Sequence, residues 1–270
     1  MSPQRTPVSG PRYLAIADDL RMQIERHELR PGDVLPSLAE LCEQYGVSQS
    51  SARDAIRLLT AQALITTRNG ARPTVRERPT PITYSNVTLD EEKALVRAPE
   101  RTRRARGALE ATTGVSIRDK DTDFSAAYTR TQAGPDEPFT EGTELLRREY
   151  ETRRHSDGRL LAWSVSSIPV DLIESNPDLL DQSTEPWPGG TQHQLSTVGI
   201  EIARSVATIT ARAATTVELS AWGMAPSEPM LVVDGQMIDT EGRTVLSGQV
   251  NYPADRSRLE YVTDLTPWEH

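Results

Sequence analysis

The stretch from Ser37 to Leu59, "SLAELCEQYGVSQSSARDAIRLL", constrains this chain more than any other. Leu38, Leu41, Cys42 and Tyr45 recur at three- and four-residue steps, as do Ala52, Ala55, Ile56 and Leu59. That is the period of two helices, each with one apolar face. Ser37 stands where it can cap the first helix, and Gly46 stops it. After one apolar residue, Val47, Ser48 can cap the second. Two short helices joined by a tight glycine turn form a helix-turn-helix.

The flanking residues extend the pattern. Tyr13, Ile16, Leu20 and Ile24 predict a helix from Arg12 to Glu28, which "LRPGDVLPS" breaks at Pro31-Gly32. After the helix-turn-helix, Leu64 to Arg68 reads as a strand, Asn69-Gly70 as a hairpin turn, and Pro73 to Arg76 as the returning strand. Helix, helix-turn-helix and hairpin in this order make a winged helix.

The outward face of the second short helix carries Gln49, Ser50, Arg53 and Arg57, with Ser51 near its start. A helix fits the major groove of B-DNA, and helix-turn-helix modules present the first residues of this helix to the bases. Glutamine can bond adenine bidentately, serine can donate or accept, and the two arginines can meet guanine or phosphate. The peptide N–H groups at the start of both short helices, where Ser37 begins the first, suit phosphates. Arg68, Asn69, Gly70 and Arg72 in the wing suit backbone or minor-groove contact.

Charge bears on this reading, because the 270-residue chain has a formal net charge of -9. Through residue 78 there are 11 arginines against 9 carboxylates, a balance of about +2, which leaves about -11 for the rest. Repulsion from phosphates therefore belongs mostly to the later part of the chain.

Residues 1–11 are rich in Pro, Ser and Gly and read as a disordered tail, 12–76 as the winged helix, 77–85 as a linker, and 86–266 as a second domain. In that domain 91–112 reads as helical with an interruption near Pro99. Extended runs follow at Phe124–Thr131, Leu145–Arg154 and Leu160–Ile168, with Ser156-Asp157-Gly158 turning the last two into a hairpin. His193–Val198 and Thr215–Trp222 read as helices, and Ile202–Ala213, Met230–Asp239, Val245–Tyr252 and Leu259–Thr263 as strands. The fold class is α+β.

Some chemistry is not expected. Cys42 is the single cysteine, so no intramolecular disulfide forms. No His/Cys pair has zinc-ligand spacing, and there is no Gly-x-Ser-x-Gly or phosphate-binding Gly-x-x-x-x-Gly-Lys. No metal, cofactor or catalytic residue is therefore expected. The chain lacks a long apolar stretch and an apolar signal core, which points to the cytoplasm and away from a membrane.

Residues Tyr13–Gly70 closely resemble the DNA-binding domain of the GntR family of bacterial transcription regulators, above all in "HELRPGDVLPS" and "YGVSQSSARDAIRLLTAQALI". Two positions depart from the family pattern. Ala39 stands where an arginine commonly contacts DNA, and Gln49 where arginine is frequent, while Arg53 matches. The resemblance implies binding in the family's way to a different operator.

Residues of roughly 84–265 are similar to the UTRA effector domain of the HutC branch. The similarity rests on "LLRREYETRRHSDGRLLAWSVSSIP", "ITARAATTVELSAWGMAPSEPMLVVDGQMIDTEGRTV" and "NYPADR". It implies a chorismate-lyase-like antiparallel sheet domain with flanking helices, which binds an effector between sheet and loops. In the hairpin, Arg154 matches a family arginine and Thr152 replaces another; Ser164 takes the place of a frequent acidic residue. Arg212 and Tyr252 match as well, and Asp255-Arg256 after them reads as a surface pair. The resemblance implies a ligand-responsive repressor that binds an inverted-repeat operator as a homodimer. The alternative is a plasmid-type or architectural DNA-binding regulator without a small-molecule effector.

Overall fold

The structure, a computed structural model, describes residues 11–67, 70–77, 82–106, 122–155, 158, 160–224 and 228–264. The tail before Pro11, Arg68 and Asn69 of the wing, part of the 77–85 linker, and Ser156 and Asp157 of the hairpin lie outside the described residues. The chain forms two compact units, Met1–Pro79 with Ala214–Glu228, and Thr80–Ala213 with Pro229–His270.

In the first unit α1 (Arg12–Glu25), α2 (Leu38–Tyr45) and α3 (Gln49–Ala61) precede a hairpin of β1 (Ile65–Thr66) and β2 (Thr74–Val75). The strands pair antiparallel, Ile65 with Val75 and Thr66 with Thr74. Ile16, Leu20, Leu35, Leu41, Ala52 and Leu59 form the buried core. Alanines at 52 and 55 are fully buried, so α3 approaches α1 closely. Ile56 is only partly buried against this core.

Helix α1 ends three residues before the predicted Glu28. His27 turns left-handed at φ 59°, and the Glu28 and Leu29 N–H groups both close onto the Gln23 carbonyl. The α2 start is a full capping box. The Ser37 hydroxyl accepts from the Glu40 N–H at 3.2 Å, and the Glu40 carboxylate accepts from the Ser37 N–H at 2.6 Å. Gly46 ends α2 at φ 60°, a left-handed conformation that suits glycine. The same unit includes the helix Thr216–Trp222 from much later in the chain. Glu228, at the end of that segment, pairs with Arg76 just past the wing.

The second unit holds β3 (Ile82–Ser85), α4 (Val87–Val96), α5 (Glu100–Arg106), β4 (Thr122–Gln132), β5 (Glu144–Arg154) and β6 (Leu160–Pro169). It continues with α6 (Val170–Ile173), α7 (Gly190–Ser196), β7 (Ile202–Ala213), β8 (Pro229–Asp239), β9 (Thr244–Pro253) and β10 (Ser257–Glu260). Six strands form one antiparallel sheet in the order β4-β5-β6-β9-β8-β7, while β10 pairs parallel with β3. Leu146, Ile168, Ile173, Leu195 and Val245 bury one core cluster. The predicted helix 91–112 is two helices with Pro99 between them, and residues 107–112 lie outside the described set. The break follows from proline, which disfavours a helical conformation in the residue before it.

Candidate nucleic-acid interface and effector cavity

Ser48 caps α3 by accepting from the Ser51 N–H at 3.4 Å, and its hydroxyl also meets those of Ser50 (2.8 Å) and Ser51 (3.2 Å). The cap fixes where α3 starts. With Ala52, Ala55 and Leu59 buried, the opposite face of the helix turns outward. Gln49, Ser50, Arg53 and Arg57 are exposed there and Ser51 is half-buried. Arg53 reaches the Gln49 side-chain oxygen at 3.4 Å, and Arg57 pairs with Asp54 at 2.9 Å. Both interactions are local and exposed, so neither holds its arginine strongly away from a phosphate or a base.

In the wing, Gly70 is left-handed at φ 78°. Arg72 turns back, donating to the Leu35 carbonyl (2.8 and 3.2 Å) and pairing with Glu40 at 2.9 Å. That contact ties the wing to the start of α2. The Ser37 hydroxyl is engaged in its cap. Arg68 and Asn69 lie outside the described residues.

A cavity of about 320 Å³ opens on one face of the six-stranded sheet. Its floor is a period-two set: Tyr150 and Thr152 on β5, Ser164 and Ser166 on β6, and Gly248, Val250 and Tyr252 on β9. Alternate residues of a strand share a face, and the register aligns these rows, with Tyr150 opposite Ser164. The segment Tyr84–Leu89 and the loop Glu185–Thr191 form walls. Of the predicted effector residues, Thr152, Ser164 and Tyr252 therefore come together. Arg154 sits at the end of β5 and is not part of the lining. Arg212 is even-numbered on β7, whereas the lining residues there are Ser205 and Ala207, so it belongs to the opposite face and donates to Asn251 at 3.2 Å. Asp255-Arg256 is not a surface pair. Arg256 is fully buried, held by Asp255 at 2.8 Å and by the Leu160 carbonyl at 3.4 Å. This guanidinium beside the start of β6 stays buried because a carboxylate is buried with it.

Behind the cavity wall lies a polar network. Glu185 Oε1 accepts from the hydroxyls of Tyr128 (2.5 Å) and Tyr150 (3.0 Å) and from Gln194 Nε2 (2.9 Å), and Oε2 accepts from the Trp187 N–H (2.8 Å). Arg148, only 2% exposed, donates to Gln194 Oε1 at 2.8 Å and lies 5.8 Å from the Tyr128 ring centre. Burial works against the Arg148 charge, yet Tyr150, Tyr128 and Glu185 outweigh it and hold its pKa above the usual guanidinium value. Burial also raises the Tyr128 pKa to about 12, with Arg148 opposing and Glu185 reinforcing the shift.

The profile for bacterial regulatory proteins of the gntR family matches residues 12–75, and that for the UTRA domain matches residues 139–258. The chain has a GntR-type DNA-binding domain followed by a UTRA domain. It carries the UTRA-bearing architecture of that family, whose members bind DNA through the first domain and effectors through the second. The mannosyl-D-glycerate transport/metabolism system repressor MngR of Escherichia coli (strain K12) is 37% identical over 83 residues, 31% of this chain and 35% of its own. The uncharacterized HTH-type transcriptional regulator YieP of the same organism is 36% identical over 77 residues, 28% of this chain and 31% of its own. The chain thus spans about a third of the length of these two relatives. The uncharacterized HTH-type transcriptional regulator RB1450 of Rhizobium meliloti (strain 1021) is 24% identical over 255 residues, 92% of this chain and 93% of its own. A crystal structure of a GntR-family transcriptional regulator superposes with a TM-score of 0.70 at 23% identity, covering 95% of this chain and 98% of that one. At that identity the likeness speaks to the fold.

Sequence reasoning missed most of the cavity wall. Tyr84, Phe124, Tyr150, Glu185, Trp187 and Gln194 come from five separate segments. The one signal for it in the sequence is "EPWPGG", whose prolines and glycines mark a rigid loop. Among the described residues, no group of three or more His, Cys, Asp or Glu side chains could hold a metal ion, and no helix is long and apolar enough to cross a membrane.

The two glycines of that loop are required by their surroundings. Gly190 has φ 74°, and a Cβ there would lie 2.4 Å from Glu92 Oε1. Glu92, on α4, is buried and accepts from the Gln192 N–H at 2.7 Å. Burial raises its pKa to about 7, against the opposing hydrogen bonds from Gln192 and Thr191. A carboxyl whose folded pKa lies above its unfolded value binds its proton more tightly in the fold. Its contribution is therefore full below pH ~4.5 and fades as pH rises through about 7, a loss of a few kcal/mol. Glu92→Gln is expected to raise the melting temperature relative to the unaltered chain at pH 8 and to leave it nearly level at pH 5. Thermal unfolding at the two pH values checks this, and an equal difference at both would contradict it.

Proposed function

We propose that the protein is a sequence-specific transcription regulator, a repressor of the HutC branch, that binds an inverted-repeat operator as a homodimer and is released by a small-molecule effector. The observation that carries this reading is α3, capped by Ser48 with Gln49, Ser50, Arg53 and Arg57 exposed on the face away from its core. Such a helix lies in the major groove, where Gln49 and Arg53 meet base edges and Arg57 meets phosphate. Ser50 and Ser51 at the start of α3 face the bases with Gln49, the Ser37 end of α2 meets phosphate, and the wing residues Arg68, Asn69, Gly70 and Arg72 meet the backbone or the minor groove.

The homodimer reading is supported by β7, an edge strand exposed from Ala203 to Ala213 with Val206 and Ile209 open to solvent. Edge strands of this length invite pairing with another copy. The sheet cavity with Thr152, Ser164 and Tyr252 supports an effector site, while Arg154 and Arg212 lie outside its lining. Effector coupling of about 1–3 kcal/mol changes operator occupancy about 5- to 150-fold. The protein works in the cytoplasm and by binding, with no reaction of its own.

Fluorescence anisotropy of the full chain on DNA from its own promoter region, against a scrambled duplex and across a salt series, tests this. Tight binding of the native fragment, saturating at two chains per duplex, is expected, with a salt slope that counts the phosphate contacts. Equal weak binding to both duplexes would overturn it.

A further inference from the structure

The lining of the sheet cavity specifies a ligand class. We propose that it takes an uncharged, ring-bearing molecule and discriminates against phosphorylated and carboxylated ones. This rests on reading the second unit as the effector domain.

Three observations carry the inference. First, among the described residues no lysine, arginine or histidine lines the cavity. An anion entering it would lose its water without meeting a counter-charge, and burying an unpaired charge is strongly unfavourable. The buried cation nearby, Arg148, stays outside the lining, and its charge is matched by Glu185 through Gln194 and the two tyrosines. The arginines at 154 and 212 are outside it too.

Second, the two lining carboxylates do not call for a cation. Glu185 already accepts four hydrogen bonds, three at Oε1 from Tyr128, Tyr150 and Gln194 and one at Oε2 from the Trp187 N–H, which stabilise its charge without a ligand cation. Glu260 lies on the short strand β10 and is exposed to solvent, where a charge pair adds little.

Third, the groups that remain for a ligand are neutral. The side chains of Thr152, Ser164, Ser166, Gln236 and Tyr252 line the cavity without a hydrogen bond to another described residue. Hydroxyls and an amide can give and accept bonds to a hydroxyl, carbonyl or ring nitrogen. Around them stand flat apolar surfaces. Tyr84 and Tyr252 pack with ring centres 4.2 Å apart, Phe124 stacks on Tyr150 at 5.7 Å, and Trp187 completes the wall. Aromatic faces with a few convergent polar groups suit a planar ring, and about 320 Å³ is room for one.

The test uses three probes that share one ring and differ in charge: 2-naphthol, 2-naphthoate and 2-naphthyl phosphate. Each is titrated calorimetrically into the full-length protein at pH 7.5, and each is then added to the protein–operator complex followed by anisotropy. The expected result is that 2-naphthol binds at least tenfold more tightly than either anion. Ser166→Leu, which fills part of the cavity, should weaken that binding at least tenfold and so place it there. Binding of either anion as tight as that of 2-naphthol would overturn the proposal, as would no binding of 2-naphthol, or binding that Ser166→Leu leaves unchanged. The second readout separates this from the effector reading. If 2-naphthol binds the cavity and the operator complex stays intact, the ligand class stands and release by an effector of this class fails. If an anion releases the operator and 2-naphthol does not, the effector reading stands and the ligand class fails.

Discussion

Arg53→Ala is expected to lower affinity for the native operator about 10- to 150-fold and to relax discrimination at the base pair that Arg53 reads. Arg53 is exposed on α3, one turn from Gln49, and its only described partner is the Gln49 oxygen at 3.4 Å. Removing it leaves the fold intact, because nothing in the core depends on it. Arg57 lies a further turn along and is 77% exposed. Arg57→Ala should instead weaken binding to native and scrambled duplexes alike and reduce the salt slope by about one. The double variant should bring operator binding down to the level of scrambled DNA. Anisotropy titrations of both duplexes across a salt series separate the two roles. Unchanged operator affinity in the double variant would remove α3 from the DNA interface altogether.

The second large effect concerns stability. Arg148→Met keeps the length of the side chain and removes its charge. Glu185 would then hold its four donors with no cation near it, and Gln194 would lose the group that orients its oxygen. Breaking a buried charge arrangement by removing one member costs about 3–5 kcal/mol. Urea unfolding followed by tyrosine and tryptophan fluorescence should show the second unit melting earlier by that amount. A loss below about 1 kcal/mol would mean that Glu185 has no need of the buried cation. Arg148 Nε makes no hydrogen bond in the described structure, so part of this arrangement is already incompletely satisfied.

The helix-turn-helix was legible because its signals are local. Ser37, Gly46 and Ser48 mark helix ends within a few residues of the apolar positions they punctuate, and the structure uses each as a cap or a stop. Strands β4 to β9 were legible for a related reason, since alternating or continuous apolar runs bounded by turns reveal a strand without knowledge of its partners. The cavity was legible only in part. Thr152, Ser164 and Tyr252 came from resemblance. Tyr84, Phe124, Glu185 and Trp187 lie in segments that sheet topology brings together, and nothing in their local sequence states that they meet. Arg212 shows the same limit, because a single-residue parity on β7 decides which face it takes. The buried Arg256 shows it too: an Asp-Arg pair after a tyrosine reads the same in sequence whether it ends a buried strand or an exposed turn.

The first unit is not contiguous in sequence, since Ala214–Glu228 joins it from between β7 and β8 and supplies the partner of Arg76. This bears on how such proteins exchange parts. Recombination at the linker after the wing would move the winged helix without the segment that completes it. A recipient would have to offer its own carboxylate to the transplanted Arg76, or lose this ion pair at a guanidinium that is only 17% exposed. The DNA-binding specificity of this chain is therefore less portable than its domain order suggests. A hybrid regulator built on it should carry residues 214–228 together with the first 79.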